Sequence, residues 1–198
     1  MIDANRFLVR SSEREAWLQA RLGGVSATQV AAAATPSGFA EVAEQRRNPV
    51  PIKDNPYMAF GREAEPEIMR YAHREFGLLS QDWLIADETD PRFFATPDGI
   101  STTHHEIAEV KTTGDAWDGA ETNVKKLPIK YRRQVQWQLM CTGAERCLFL
   151  WMLREPDTQG YFYMPWLEPK HVWIERDPLM ISELVATANR LLSLEGGF

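Results

Sequence analysis

The chain has 198 residues, of which 44% are hydrophobic and 11% aromatic, and this suffices for a globular domain with a substantial core. Its net charge of −6 excludes a protein that coats nucleic acid through bulk positive charge. The charge does not exclude a DNA enzyme, because contacts with phosphates need only a local basic track.

The composition also bears on the cellular setting. No apolar run approaches the ~20 residues of a membrane-spanning helix, and residues 1–6 lack the pattern of a signal peptide. The cysteines, Cys141 and Cys147, are too few for a disulfide framework or a four-thiolate iron–sulfur cluster. We therefore expect a cytoplasmic protein with no membrane partner. Because no repeat or linker divides the chain, we predict a single domain over residues 1–198.

The N-terminal part of the chain has the capping residues, breakers and apolar spacing that are typical of helices. The predicted helices cover residues 11–21, 26–34 and 58–76. The sequence Pro-Ser-Gly at residues 36–38 ends the second helix, and Gly77 ends the third. Residues 46–56 contain three prolines and predict a surface loop.

Aromatic and β-branched runs in the rest of the chain predict strands. The predicted strands cover residues 83–86, 92–95, 106–112, 147–153, 161–164 and 171–175. Residues 113–127 look irregular, and helices are predicted over 128–140 and 178–194. The order of these elements predicts a mixed α/β fold, with a central mixed sheet flanked by helices.

A predicted hairpin between residues 98 and 111 contains the residues that indicate a metal site. Asp98 follows a proline, and Glu109-Val110-Lys111 comes eleven residues later. Successive strand residues alternate faces, so Glu109 and Lys111 share a face about 7 Å apart, and the Val110 carbonyl is free to bind a metal. Such oxygen ligands suit Mg²⁺, and a lysine there positions water or stabilises charge. Taken alone, the motif fits a surface Glu/Lys pair beside a turn equally well.

Four segments, taken in their order along the chain, favour a metal site over a surface Glu/Lys pair. They are residues 17–28, 60–65, 96–111 and 131–136. They resemble the motifs of the lambda-exonuclease family, also called the YqaJ-type viral recombinase nucleases, within the PD-(D/E)XK superfamily. The resemblance spans about residues 15–180 and implies a restriction-endonuclease-like core.

The resemblance implies a role for each matching residue. Three would bind metal: Asp98, Glu109 and the carbonyl of Val110. Three would be catalytic: Lys111, Glu65 from the long helix, and Gln134. Without the family, Glu65 is one acid among several on its helix, and Gln134 is an exposed helical residue.

A further set matches positions that the family uses to hold the DNA end. Arg21 and Thr28 would hold the 5′ phosphate, with Ser26 and Thr96 as helpers, since guanidinium makes paired bonds to phosphate oxygens. Met58 would be the apolar wedge that separates the strands. The simpler interpretations are a helix-end cation for Arg21, a helix cap for Ser26 and an ordinary core residue for Met58.

The resemblance further implies a 5′-to-3′ exonuclease of linear double-stranded DNA that uses Mg²⁺, with two ions expected and Mn²⁺ able to substitute. It would release mononucleotides, leave a 3′ overhang, form a homotrimer ring and act with a single-strand annealing protein. Two alternatives are a restriction- or repair-type endonuclease and a non-catalytic DNA-binding module. The end-phosphate residues argue against the first, and the complete set of site residues argues against the second.

Overall fold

The computed structural model describes residues 1–50 and 53–194. The α-helices are α1 (Arg14–Leu22), α2 (Ala27–Ala33), α3 (Pro36–Arg47), α4 (Pro56–Phe76), α5 (Ile129–Thr142) and α6 (Pro178–Ser193). The strands are β1 (Phe7–Arg10), β2 (Val25–Ser26), β3 (Leu79–Ser80), β4 (Trp83–Ala86), β5 (Phe93–Ala95), β6 (Gly99–Ile100), β7 (Glu106–Thr113), β8 (Arg146–Leu153), β9 (Glu155–Pro156), β10 (Phe162–Tyr163) and β11 (Lys170–Glu175). No helix among these residues is both long and apolar enough to cross a membrane.

Within the described residues, the strands form two mixed sheets and a hairpin of β9 and β10. The larger sheet has the order β11-β8-β7-β6-β3, and the smaller sheet has the order β1-β4-β5-β2. Neighbouring β7 and β8 are parallel, so the chain must cross over between them, and α5 lies in that crossover. The predicted mixed sheet with flanking helices is confirmed.

Helices α4 and α5 cover opposite faces of the larger sheet. Ala108 and Val110 of β7 pack in the apolar cluster that contains the buried face of α4. Ile107 packs in a second cluster with Val135 and Leu139 of α5. Because strand residues alternate, Glu109 and Lys111 must lie on the α5 face. The alternation therefore fixes which helix supplies partners for the charged residues of β7.

Local sequence explains where α4 begins and ends. Asn55 accepts a hydrogen bond from the Met58 amide, and Pro56 occupies the first turn, where its missing N–H costs nothing. Gly77 follows the helix with a φ of 71°, a left-handed conformation that favours glycine. The predicted stop at Gly77 is confirmed, and the helix starts two residues before the predicted residue 58.

One helix was not predicted. Residues 36–38 end α2 as expected, but Pro36 also begins α3, because the Thr35 side chain accepts from the Gly38 amide as an N-cap. The loop predicted over residues 46–56 therefore starts only after Arg47, and residues 51 and 52 of that prediction lie outside the described residues. The short strands β1, β2, β3, β6 and β9 were also missed, since they have only two to four residues each.

Candidate active site

The hairpin of β6 and β7 fixes Asp98 against the backbone of β7. The Asp98 amide donates to the carbonyl of Ala108 at 2.9 Å, and the Val110 amide donates to Asp98 Oδ2 at 2.7 Å. Gly99 permits the close approach of α4, because a Cβ there would lie 2.4 Å from Met69 Cε. The carboxylate of Asp98 is thus held beside the main chain that leads to Lys111.

The Glu109 carboxylate is buried on the opposite face of β7 from Val110, with 2% of the residue exposed. Gln134 Nε2 donates to Glu109 Oε1 at 2.5 Å, and Gln138 Nε2 donates to Oε2 at 2.6 Å. Lys111 Nζ donates to Oε1 and also to the Val110 carbonyl, the second bond being 3.2 Å long. These donors offset the cost of burying a charged group.

Sequence reasoning missed Gln138. Residues four apart on a helix share a face, so the spacing of Gln134 and Gln138 was the available signal. The family motif draws attention to Gln136 instead, which points away from the site. Its amide donates to the Glu175 carbonyl, and its Oε1 accepts from the Asp177 amide at the start of α6. Gln136 therefore joins α5 to the end of β11.

Glu65 enters the site from α4. Its neighbours Glu63 and Glu67 are exposed, whereas Glu65 is half-buried. Burial and the negative charge of Glu109 raise the pKa of Glu65, while the charge of Lys111 opposes that rise. Glu65 is therefore close enough to the hairpin for its charge to interact with those of Glu109 and Lys111.

We call the site formed by Asp98, Glu109, Glu65 and Lys111 the acidic pocket. It contains more carboxyl groups than ammonium groups. Burial, the Glu109 carboxylate and Glu65 raise the pKa of Asp98 well above its ordinary value, against the opposing effect of Lys111. Burial lowers the pKa of Lys111, but the charges of Glu109 and Asp98 outweigh it, so the net shift is upward and the ammonium stays charged. Three carboxyl groups thus face one ammonium.

The donor set fits a divalent cation. Asp98, Glu109 and the Val110 carbonyl offer oxygen atoms, and Mg²⁺ commonly uses one or two carboxylates while keeping several waters. In the described part of the chain, no group of three or more His, Cys, Asp or Glu side chains stands ready for a metal, so the site has no all-protein cage. Such an ion polarises phosphate and lowers the pKa of bound water.

A second group of side chains offers a positive charge and several hydrogen-bond donors. We call it the end pocket, and it comprises Arg21, Ser26, Thr96 and Trp17. Arg21 Nη2 donates to Ser26 Oγ at 3.0 Å, and its guanidinium lies 4.0 Å from the centre of the Trp17 ring. Burial, followed by the charge of Arg14, lowers the pKa of Arg21 to about 10. No carboxylate of the described residues forms an ion pair with this half-buried arginine.

Two buried donors of the end pocket have no partner among the described residues. These are Thr96 Oγ1 and Trp17 Nε1. Thr96 lies close to Ser26, because Ser26 pairs with Phe94 in the parallel register of β2 and β5, and Thr96 follows two residues later. Unpaired buried donors are rare, and an anion would satisfy them.

The remaining end-binding candidates differ in exposure. Ser26 is buried and forms a capping box with Gln29, so it is a helix cap and also an acceptor for Arg21. Thr28 is exposed in the first turn of α2. Met58 is exposed in the first turn of α4, so it does not belong to the core. Exposure leaves both Thr28 and Met58 accessible to a ligand.

Comparison with known proteins gives a consistent result. A family model described as the YqaJ-like viral recombinase domain matches residues 16–145. The crystal structure of LHK-Exo in complex with dAMP has a TM-score of 0.69 and 29% identity, covering 92% of this chain and 93% of that chain. The alkaline exonuclease LHK-Exo from Laribacter hongkongensis gives a TM-score of 0.68, with the same identity and coverage.

A phage-related exonuclease from Haemophilus somnus 129PT has a TM-score of 0.68 over 87% of this chain and 95% of that chain, but at 14% identity it supports the fold alone. No curated protein matches the sequence. The restriction-endonuclease-like fold and the enzyme class predicted from the motifs, a deoxyribonuclease of exonuclease type, are confirmed. This chain belongs to the family of YqaJ-like viral recombinase domains.

Proposed function

We propose that this protein is a Mg²⁺-dependent 5′-to-3′ exonuclease of linear double-stranded DNA, acting as a single domain. It releases 5′-mononucleotides and leaves a 3′ single-stranded overhang for recombination by annealing. One observation carries the proposal: only two residues of backbone separate Asp98, in an acidic pocket with a half-buried lysine, from Thr96, which follows the strand that pairs with Ser26, the partner of Arg21. The acidic pocket suits phosphodiester hydrolysis, and the end pocket suits a terminal phosphate.

In this proposal Asp98, Glu109 and the Val110 carbonyl hold the ion. Two ions are expected, and Mn²⁺ substitutes for Mg²⁺. Lys111 keeps its proton, as its raised pKa requires, and donates toward the charge that develops on the phosphate. Glu65 has a raised pKa, which suits a group that takes a proton from the attacking water. Gln134 orients the carboxylate of Glu109 by the hydrogen bond described above.

The end pocket supports a 5′-end specificity. Among the described residues, the guanidinium of Arg21 has no carboxylate partner, and the buried hydroxyl of Thr96 has no hydrogen-bond partner. Ser26 and Thr28 add hydroxyl groups at the start of α2. Met58, exposed on the first turn of α4, is proposed as the wedge between the last paired bases.

The assembly is proposed from the family. A homotrimer ring would encircle linear duplex DNA, and a single-strand annealing protein would load on the exposed strand. A ring also reconciles the net charge of −6 with DNA binding, because each subunit need only present its basic groups to the inner wall.

A digestion assay tests the function. The substrates are linear duplexes with 5′-phosphate or 5′-hydroxyl ends and a covalently closed circle, with Mg²⁺ or with EDTA. We expect degradation of the phosphorylated duplex with Mg²⁺, with the 5′ label released before the 3′ label, and no reaction in EDTA. Cutting of the closed circle would identify an endonuclease instead, and DNA binding without any cutting would identify a non-catalytic module.

A further inference from the structure

We infer that Gln138 is a positioning residue of the metal site, which fixes the Glu109 carboxylate and presents a free carbonyl oxygen to the hydrated cation. This inference rests on the proposed function, because it requires that the carboxylates bind a divalent ion. The nearby Gln134 and Lys111 already contact the other oxygen of Glu109. Gln138 alone among the described residues donates a side-chain hydrogen bond to Oε2.

Two glutamines of α5 hold the Glu109 carboxylate in one orientation. Gln134 and Gln138 lie on successive turns of α5. Their side-chain amides donate hydrogen bonds to the two oxygens of the Glu109 carboxylate, at 2.5 and 2.6 Å. A carboxylate held at both oxygens cannot rotate about its last bond. Partners that orient metal ligands in this way commonly govern metal affinity.

The side-chain oxygen of Gln138 is buried and lacks a donor among the described residues. Gln138 is 1% exposed, yet its Oε1 has no hydrogen-bond partner among the described residues. Turning the amide over would place this carbonyl against the Glu109 carboxylate, which would repel it. The observed orientation is therefore the favourable one, and it leaves a buried acceptor beside the site. Buried acceptors are seldom left unpaired, so a donor is expected to arrive with the ligand. The water shell of Mg²⁺ supplies such donors.

Gln136 provides a matched control on the same helix. It has the same side chain and is 3% exposed, and it makes two hydrogen bonds, but these join α5 to residues 175 and 177. Replacing either glutamine by methionine keeps the length of an unbranched side chain and removes its hydrogen bonds. A general effect of disturbing α5 would appear in both variants.

The experiment measures Mg²⁺ and Mn²⁺ binding to the full-length protein by calorimetry, without DNA. We expect Gln138→Met to raise the metal Kd by about 10–100-fold and Gln136→Met to leave it unchanged. Circular dichroism checks that each variant is folded, and Gln138→Leu replaces Gln138→Met if the latter does not fold.

The outcomes separate this inference from the proposed function. An unchanged Kd in a folded Gln138 variant, or an equal rise in both variants, would overturn the role of Gln138 while leaving the nuclease intact. Absence of metal binding in the wild-type protein would overturn the proposed function and this inference together.

Discussion

The acidic pocket around Glu109 and the end pocket around Arg21 are built in opposite ways. In the acidic pocket, Glu109 is buried and surrounded by donors from β7 and α5. In the end pocket, Arg21 donates to one hydroxyl and lies on an aromatic face, and the buried donors of Thr96 and Trp17 have no partner within residues 1–50 and 53–194. The acidic pocket has too few positive charges, and the end pocket has too few acceptors. Each therefore needs a ligand of opposite charge.

The two pockets are joined by one short stretch of backbone. Thr96 belongs to the end pocket and Asp98 to the acidic pocket, and two residues span at most ~7 Å. The parallel pairing of β2 with β5 brings Ser26 to this same stretch. Under the proposed function, a phosphate in the end pocket would lie close to a cation in the acidic pocket, and this arrangement would favour cleavage next to a DNA end.

The largest effect is expected in the acidic pocket. Lys111→Ala removes a half-buried ammonium that faces Glu109 and Asp98, and we expect a loss of about 10²–10³-fold in the rate of digestion, since the loss of one such donor is typically this large. Single-turnover kinetics with excess enzyme measures it. Lys53→Ala, at an exposed position, is the control, and a normal rate for Lys111→Ala would remove the lysine from the mechanism.

A smaller effect, confined to substrate choice, is expected in the end pocket. Arg21→Ala removes a hydrogen bond to a charged group, worth about 1.5–3 kcal/mol, so the preference for 5′-phosphate over 5′-hydroxyl ends should fall by about 10–100-fold. The ratio of the two kcat/KM values measures it. Arg14→Ala is a matched control, because Arg14 also lies over Trp17, at 5.0 Å, but is exposed. An unchanged ratio in Arg21→Ala would locate the phosphate site elsewhere.

The smallest effect concerns stability. Folding raises the pKa of Asp98 above its ordinary 3.8, so as the pH rises through the folded-state pKa, the metal-free protein loses stability. Asp98→Asn removes this loss and keeps an acceptor for the Val110 amide. We expect the free energy of unfolding in EDTA at pH 8 to increase by about 1 kcal/mol, with activity lost. Urea denaturation measures it, with the exposed Asp115→Asn as control, and a less stable Asp98 variant would contradict the charge imbalance.

The side-chain arrangement of the hairpin was predictable because it depends only on neighbouring residues of one strand. A period of two along β7 is enough to put Glu109 and Lys111 on one face and Val110 on the other. The end of α4 was predictable for the same reason, since Gly77 is a local signal. The pairing of β2 with β5 is not local, so only the family resemblance, and no pattern in the chain itself, predicts that Thr96 lies near Ser26.

Gln138 and α3 were missed for different physical reasons. Three glutamines occur within five residues of α5, and only the packing of the helix decides which of them face β7. Pro36 is compatible with two predictions, because a proline can end one helix and can also occupy the first turn of the next. The hydrogen bond from Gly38 to Thr35 decides between them, and it forms only once α3 exists.

The size of the first product shows whether the end pocket and the acidic pocket act together on one DNA end. A linear duplex with a labelled 5′-phosphate is digested for a single turnover with Mg²⁺, and the labelled product is identified by its length. Thr96 of the end pocket and Asp98 of the acidic pocket are two residues apart in the chain. We therefore expect a labelled mononucleotide. A labelled dinucleotide or longer fragment would contradict it, since the terminal phosphate would then bind away from Arg21.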